Sequence, residues 1–294
     1  MIKPLPFSLT SLRIVFQFSL ITSLLSVGFI SHAQTSEATT ESSVADVAKI
    51  TKKQRVFSLP KPMLHDLMKN MVLVEAGGFS MGSNSPKARN REQPVKQVTL
   101  DAFYIGKYEL TQDIFEQVMG WNNSFFFCAK CPVNNVSWFN MQLFIERLNT
   151  ATGKEFSLPT EAQWAYAAKG GNKSKGYKYS GSNDINDVAW YAGNAKNKSH
   201  PVGLKKPNEL GLYDMTGNLW EFCLDDMSRK AYSLTENHNP FLGNRDDLKK
   251  KAMKVIRGGA YEFSAIENLV FMRDGATNNV SMADIGYRLV MSKD

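Results

Sequence analysis

Residues Gly211 to Glu221 read Gly-Leu-Tyr-Asp-Met-Thr-Gly-Asn-Leu-Trp-Glu, a stretch in which turn-forming Gly and Asn lie next to a large aromatic side chain. We expect Trp220 to be a core anchor, as large aromatic residues usually are, together with Trp138 and Trp164. Five other segments accompany this stretch in a fixed order along the chain: Met71-Val-Leu-Val-Glu-Ala-Gly-Gly-Phe-Ser-Met-Gly-Ser83, Pro132-Val-Asn-Asn-Val-Ser-Trp138, Leu158-Pro-Thr-Glu-Ala-Gln-Trp164, Arg257-Gly-Gly259 and Ile285-Gly-Tyr-Arg288. From Met71 onward the sequence has the texture of a compact domain.

Regular secondary structure is sparse in this domain. Thr111, Ser137 and Thr160 each precede apolar residues at helical spacing, which predicts three helices. Thr160 and Gln163 form a capping box, in which each side chain satisfies a free amide of the first turn. A hairpin is predicted over 71–82, and strands over 97–108, 254–257 and 286–291. The pattern predicts an α+β domain with little regular secondary structure and long ordered loops.

The composition is that of an ordinary globular protein. Hydrophobic residues make up 43% of the 294 positions and charged residues 21%, which excludes disorder, collagen and a polytopic membrane protein. The formal net charge of +7 is dispersed. The single run of three lysines, at 249–251, follows Asp246-Asp247 after one residue, which is typical of a solvated loop. We expect no nucleic-acid partner.

The N-terminus has the pattern of an export signal. Lys3 and Arg13 precede an apolar run from Ile14 to Ile30, and Ser31-His32-Ala33 follows it. This predicts a secretory signal peptide over residues 1–33. An uncleaved membrane anchor is the alternative, but polar residues interrupt the run and make it a poor permanent span.

Two short regions separate this signal from the domain. Residues 34–58 are rich in Ser, Thr, Ala and Lys and predict a flexible linker. Residues 59–70 carry apolar side chains at helical spacing and predict a short lead-in helix. We therefore expect a periplasmic or secreted protein with no stable membrane span after signal cleavage.

The chain has three cysteines: Cys128, Cys131 and Cys223. The Cys128-x-x-Cys131 pair fits a redox pair, half of a zinc site or a local disulfide. A zinc ribbon needs a second such pair, and a thioredoxin-like site needs a strand before the pair and a helix after it. We favour a structural Cys128–Cys131 disulfide with Cys223 free and buried, while the odd count leaves a Cys131–Cys223 pairing open.

The six ordered segments resemble those of the formylglycine-generating enzyme, or sulfatase-modifying factor, family. The resemblance covers about residues 71–292. It implies a fold related to C-type lectins, with long ordered loops and bound calcium.

The resemblance also shows where this chain departs from the enzyme. The enzyme oxidises a cysteine of sulfatases with a copper ion that two cysteines hold, and counting from Gly258-Gly259 places those positions at Phe263 and Asn268. Phe and Asn do not replace the thiolates that select Cu(I). We therefore expect neither copper nor haem, and no formylglycine-generating oxidase activity.

A second branch of the family uses non-haem iron and a His-x-x-x-His-x-Glu motif. After the predicted signal peptide, the histidines are His65, His200 and His238, which are far apart in sequence. The resemblance therefore implies no iron site of this type.

For calcium, the resemblance implies a site within the Gly211–Glu221 stretch. The matching positions are the side chains of Asp214 and Glu221 and the carbonyl groups of Gly217 and Leu219. Such all-oxygen ligands suit a hard cation. The alternative is that Asp214 or Glu221 pairs with Arg257 or Arg288 in a buried network.

Aromatic residues also cluster in one loop. Trp121, Phe125, Phe126 and Phe127 form either a small core under this loop or an exposed binding patch.

These observations favour an exported, non-catalytic binding or regulatory module whose partner is an envelope or secretion-system protein. Family members without the cysteines resemble accessory proteins of secretion and gliding systems. The alternatives are a metal-dependent oxidoreductase with a different site, built from Cys223, Glu221, His200 and Glu262, and a carbohydrate-binding module.

Overall fold

The computed structural model describes residues 59–243 and 251–293 of the chain. The predicted signal peptide (1–33), the predicted linker (34–58) and most of the lysine run at 249–251 lie outside these residues. Within the described ranges, no helix is both long enough and apolar enough to cross a membrane.

Short helices and strands alternate along the described chain. The helices are α1 (Lys61–Lys69), α2 (Gln112–Met119), α3 (Trp138–Thr152), α4 (Glu161–Ala168), α5 (Ile185–Val188) and α6 (Ala231–Leu234). The strands are β1 (Met71–Val74), β2 (Gly77–Met81), β3 (Lys96–Leu100), β4 (Phe103–Gly106), β5 (Phe156–Ser157), β6 (Trp220–Asp226), β7 (Met253–Arg257), β8 (Arg273–Thr277), β9 (Ile285–Gly286) and β10 (Val290–Ser292).

The first sheet has the order β1-β4-β10-β5. Strand β1 pairs antiparallel with β4, so the hairpin predicted over 71–82 is wrong. The β1–β4 pairing brings Val74 and Ile105 into the core, where both are 0% exposed. Strand β2 alternates exposed and less exposed residues and forms a separate ribbon with β3. The region 97–108 contains parts of two strands, β3 and β4, where the sequence predicted continuous strand.

The second sheet, β8-β7-β6-β9, brings distant motifs together. Glu221 on β6 lies opposite Arg257 on antiparallel β7 and opposite Gly286 on parallel β9. Three of the six segments quoted in the sequence analysis therefore lie side by side in this sheet.

Of the three predicted helix starts, Ser137 and Thr160 cap their helices with their side chains, whereas Thr111 precedes α2 without a side-chain capping hydrogen bond. The Ser137 hydroxyl accepts a hydrogen bond from the amide of Asn140, which begins α3. The capping box of α4 is confirmed, because the Gln163 amide donates to the Thr160 hydroxyl (3.2 Å) and the Thr160 amide donates to the Gln163 side chain (2.9 Å). Both interactions fix where the apolar face of each helix starts.

The three tryptophans identified as anchors are buried, with exposures of 2% for Trp138, 0% for Trp164 and 4% for Trp220. In one apolar cluster, Phe115 of α2 stacks on Phe144 of α3 at a ring distance of 5.5 Å. Trp164 of α4 belongs to a second cluster. The result is the predicted α+β architecture, with modest regular structure and long loops.

Candidate functional site

The centre of the molecule holds a buried ion pair between the stretch 211–221 and the segment 285–288. Arg288 donates to both carboxylate oxygens of Glu221, with Nη2···Oε1 at 2.7 Å and Nε···Oε2 at 2.9 Å. Trp164 donates its indole N–H to Oε2 of Glu221 at 2.7 Å. Glu221 and Arg288 are 0% exposed, and Arg288 also donates to the carbonyl groups of Gly106 and Tyr213. The pair of Glu221 with Arg288 foreseen as an alternative is therefore present.

Two further buried carboxylates lie near this pair. One oxygen of Glu109 accepts a hydrogen bond from the side chain of Asn218 at 2.6 Å, and the other accepts from the amide of Leu219 at 3.1 Å. Asp214 accepts from the amide of Gly203 at 2.7 Å through Oδ2, whereas its Oδ1 is buried without a hydrogen-bond partner. Both residues are 2% exposed.

Burial favours the protonated forms of Glu109 and Asp214. Burial raises the pKa of Glu109 well above its usual range, and the charges of Asp214 and Glu221 raise it further. Burial also raises the pKa of Asp214 to about 6, although the amide of Gly203 and the charge of Arg288 act in the opposite direction. Three carboxylates thus share the positive charge of Arg288, and either a proton or a cation relieves the excess negative charge.

The predicted calcium ligands fit this geometry in part. Asp214, Gly217 and Asn218 have φ angles of 57°, 78° and 58°, so the loop turns tightly through the left-handed region. The unpartnered Oδ1 of Asp214 fits a cation ligand. Both oxygens of Glu221 are engaged by Arg288 and Trp164, so a cation would share Glu221 with them. In the described residues, no group of three or more His, Cys, Asp or Glu side chains is arranged to hold a metal ion.

The two positions matched to the copper-binding cysteines are packed into the fold. The ring of Phe263 lies edge-on against Trp220 at 5.6 Å between centroids. Asn268 is 0% exposed and donates to the carbonyl groups of Phe263 (3.2 Å) and Ser264 (2.9 Å). Phe263 thus packs against Trp220, and Asn268 binds the backbone of the loop 263–268. Neither side chain is a ligand for a soft metal such as copper.

The residues suggested for a different metal site do not form one cluster. Cys223 is 0% exposed on β6, and burial raises the pKa of its thiol well above the usual range. His200 stacks on Trp190 at 3.8 Å, and its Nε2 lies 2.8 Å from the carbonyl oxygen of Ala195. Glu262 is exposed, and Glu221 is paired with Arg288 as described.

The loop Trp121–Cys131, which we call the phenylalanine loop, exposes aromatic side chains. Phe125, Phe126 and Phe127 are 65%, 37% and 78% exposed. Trp121 instead packs edge-on against Phe115 at 5.0 Å, so the structure divides the predicted aromatic patch into an anchor and an exposed group.

The buried side chains of Gln112 and Asn134 hold the phenylalanine loop from behind, and the side-chain oxygen of Asn134 accepts a hydrogen bond from the amide of Phe125 at 2.9 Å. The amide nitrogen of Gln112 donates to the carbonyl of Phe126 at 2.8 Å, and its oxygen accepts from Asn122 (3.1 Å) and from the backbone of Cys128 (3.0 Å). Gln112 is 1% exposed.

Two cross-links close the same loop. Cys128 and Cys131 form a disulfide, while Cys223 is free. Lys130 forms an ion pair with Asp113 at 2.6 Å. The loop therefore has a fixed backbone while its phenylalanines face outward.

Sequence reasoning missed two of these residues. Gln112 follows a predicted helix start, and only the folded loop shows that its side chain binds residues 122–128. Glu109 lies at the junction of β4 and α2, and nothing in its local pattern indicated that it would contact the loop at 217–219. For both residues the signal lies in long-range contacts.

The described chain thus combines sparse regular structure with long ordered loops, as expected of a C-type lectin-like scaffold, and holds a buried ion pair. Residues 56–293 match the sulfatase-modifying factor enzyme 1-like domain. The chain belongs to this family, the one that the six ordered segments indicated.

Curated relatives and solved structures agree with this assignment. The chain is 36% identical to the chaperone protein LppX of Paenibacillus barcinonensis over 207 residues, which is 52% of this chain and 70% of that protein. It is 26% identical to the formylglycine-generating enzyme of Thermomonospora curvata, covering 79% of this chain and 96% of the enzyme. It also matches the serine/threonine-protein kinase pkn1 of Chlamydia pneumoniae over 69% of this chain, but spans about a third of that kinase's length (34%).

Among solved structures, the chain is similar to variable protein 1 of Treponema denticola. The TM-score is 0.64 at 28% identity, and the match covers 76% of this chain and 95% of that one. The similarity confirms the predicted fold class.

Proposed function

We propose that this chain is an exported, non-catalytic binding module of the sulfatase-modifying factor family, and that its contact surface is the phenylalanine loop. Its partner is an envelope protein, for example a component of a secretion system. The observation that carries the proposal is the run of three exposed phenylalanines, Phe125–Phe127, on a loop that Gln112 and a disulfide hold in place.

The energetics of this surface favour binding. Burying a phenylalanine side chain contributes about 1.5–3 kcal/mol. Exposed aromatic residues are frequent binding hot spots. Because the backbone of the loop is already fixed, binding loses little conformational entropy, and more of the burial energy contributes to affinity.

The positions matched to the cysteine pair support a non-catalytic role. Phe263 packs on Trp220, and Asn268 binds the backbone of its own loop. The relative LppX, which is named a chaperone protein, supports a protein as the partner.

Export and calcium are further parts of the proposal. The charged, apolar and small-residue pattern of 1–33 supports export to the periplasm or beyond. Calcium near Asp214, the carbonyl groups of Gly217 and Leu219, and Glu221 would balance the buried negative charge and stabilise the loop at 214–221. Its role here is structural.

Site-specific photo-cross-linking tests the proposal. In the native host, the full chain is produced with the photo-cross-linker p-benzoyl-phenylalanine in place of Phe127. A control protein carries the same cross-linker in place of Leu234, which is 63% exposed on α6. We expect a discrete cross-linked protein from position 127 and none from position 234. The substitution Phe125→Ser should reduce its yield at least tenfold, whereas Leu204→Ser should not change it.

Several outcomes would overturn the proposal. These are equal cross-linking from both positions, binding of the purified chain to lipid vesicles that depends on the same phenylalanines, and binding to a glycan array that chelators abolish. Near-stoichiometric copper or iron in protein purified without chelators would instead indicate an oxidoreductase.

A further inference from the structure

A cavity of about 320 Å³ lies on a different part of the surface. Its walls come from β2 and the residues after it, from the loop that follows α4, and from residues 270–271. It shares no lining residue with the phenylalanine loop. Pockets of about 300 Å³ and above are the usual size for small-molecule ligands.

Lys169, directly after α4, provides a positive charge in this cavity. Its ammonium group donates to the carbonyl of Ser80 at 2.7 Å and lies 5.7 Å from the centre of the Phe79 ring. Among the described residues, no carboxylate lies within 4.0 Å of this ammonium group. Lys169 is partly buried, and a partly desolvated ammonium without a counter-charge gains from an anion that approaches from solution.

Other charges around the cavity reinforce its positive potential. Lys173, Lys175 and Lys178 are exposed on the loop after α4. Glu209 is the acidic residue of the lining; its Oε1 accepts a hydrogen bond from the amide of Lys175 at 2.9 Å, and its Oε2 is buried without a hydrogen-bond partner, so one negative charge opposes the surrounding lysines. A surface with this balance attracts anions.

Aromatic side chains form another part of the wall, beside Gly and Ser residues. Phe79, Tyr177, Tyr179 and Phe271 line the cavity. Aromatic faces bind flat apolar surfaces, such as another ring or the apolar face of a sugar. The lining therefore selects for an acid group joined to a flat apolar face.

We propose that this cavity binds a small carboxylate ligand with one flat apolar face, and that Lys169 provides the counter-charge. An aromatic acid and a sugar acid share this chemistry. The ligand would enter with its carboxylate toward Lys169 and its flat face against the tyrosines. This site is independent of the proposed partner surface.

Calorimetric titration at pH 7 tests the inference with four probes. These are 4-hydroxybenzoate and glucuronate as the acids, and 4-hydroxybenzyl alcohol and glucose as their neutral counterparts. We expect one acid to bind at least tenfold more tightly than its neutral counterpart, and the acid that binds identifies the source of the ligand. Lys169→Met should weaken that binding at least tenfold, while Lys173→Met, a matched change on the rim, should alter it less than twofold.

If the Lys169→Met variant does not fold, chemical labelling of Lys169 in the wild-type chain tests the inference instead. In the wild-type chain, trinitrobenzenesulfonate should label Lys169 more slowly when the acid is present, as read by peptide mass spectrometry. The inference is wrong if neither acid binds at about 10 mM, if the neutral probes bind equally well, or if the folded Lys169→Met chain binds like wild type.

Discussion

Arg288 and Glu221 form a two-point ion pair in which both residues are 0% exposed. The pair joins the turn after β9 to β6, and Arg288 extends it to the end of β4 through the carbonyl of Gly106. Two of the six motifs thus hold the two sheets together through one guanidinium group.

Replacing Glu221 should strongly destabilise the fold. Glu221→Gln leaves Arg288 charged and buried without its carboxylate, and breaking a buried pair in this way costs about 3–5 kcal/mol. Urea unfolding measures the loss. Glu116→Gln on the exposed face of α2 is the control and should change the free energy of unfolding by less than about 0.5 kcal/mol. A loss below about 1 kcal/mol for Glu221→Gln would show that the pair contributes little.

Calcium should stabilise the protein through Asp214. Calcium added to chelator-treated protein at a hundred times its dissociation constant should raise the free energy of unfolding by about 2.7 kcal/mol. Asp214→Asn should remove most of this increase, whereas Asp101→Asn, at an exposed position, should retain it. The melting temperature of each protein, measured with calcium and with chelator, tests this prediction. An unchanged melting temperature in wild type would contradict the calcium proposal.

Gln112 should control the order of the phenylalanine loop. Gln112→Ala removes hydrogen bonds to Phe126, Asn122 and Cys128, and buried polar groups left without partners cost about 1–3 kcal/mol. Hydrogen exchange of residues 122–131 should become faster. Gln117→Ala, on the exposed side of the same helix, is the matched control. Equal exchange in the two variants would mean that the disulfide and the other contacts of the loop, such as Asn134 with the amide of Phe125, order it without Gln112.

Lys169 should give stability a distinctive pH dependence. Burial, with a smaller contribution from the charge of Arg257, lowers the pKa of Lys169 from 10.5 to about 8. Between about pH 8 and 10.5 the unfolded chain therefore binds more protons at this lysine than the folded chain, so its contribution to stability rises with pH.

The comparison with Lys169→Met isolates this effect, because Arg257, Glu209 and the two cavity tyrosines are the same in both proteins. The stability of wild type relative to the variant should increase from pH 8 to pH 10. A constant difference would show that Lys169 titrates as an exposed lysine does.

Local patterns predicted a large part of the fold. Ser137 and Thr160 mark the helix starts because a cap depends on residues three positions away. The hairpin over 71–82 failed for the opposite reason. Strand β1 pairs with β4, and the choice between β2 and β4 depends on burial of Val74 and Ile105 in a core that a local pattern does not show.

For the candidate sites, too, some residues could be predicted from the sequence and others became visible only in the structure. The sequence indicated the aromatic loop but left its exposure open, and the structure separates the packed Trp121 from the exposed Phe125–Phe127. It indicated Asp214 and Glu221 as charged residues of one loop. It gave no sign of Glu109 or Lys169, because the importance of each depends on groups distant in the chain.

By itself, the sequence determined the family and the fold class, because six short segments in a fixed order encode the caps, turns and aromatic anchors of this scaffold. Tertiary structure alone decided which charges are paired. Glu221 on β6 meets Arg288 in the turn after β9, whereas Lys169 donates to the carbonyl of Ser80 and, in the part of the chain that the structure describes, has no carboxylate within 4.0 Å. The physical reason is that the energy of a charge depends on its burial and its neighbours, and both are set only when distant parts of the chain pack together.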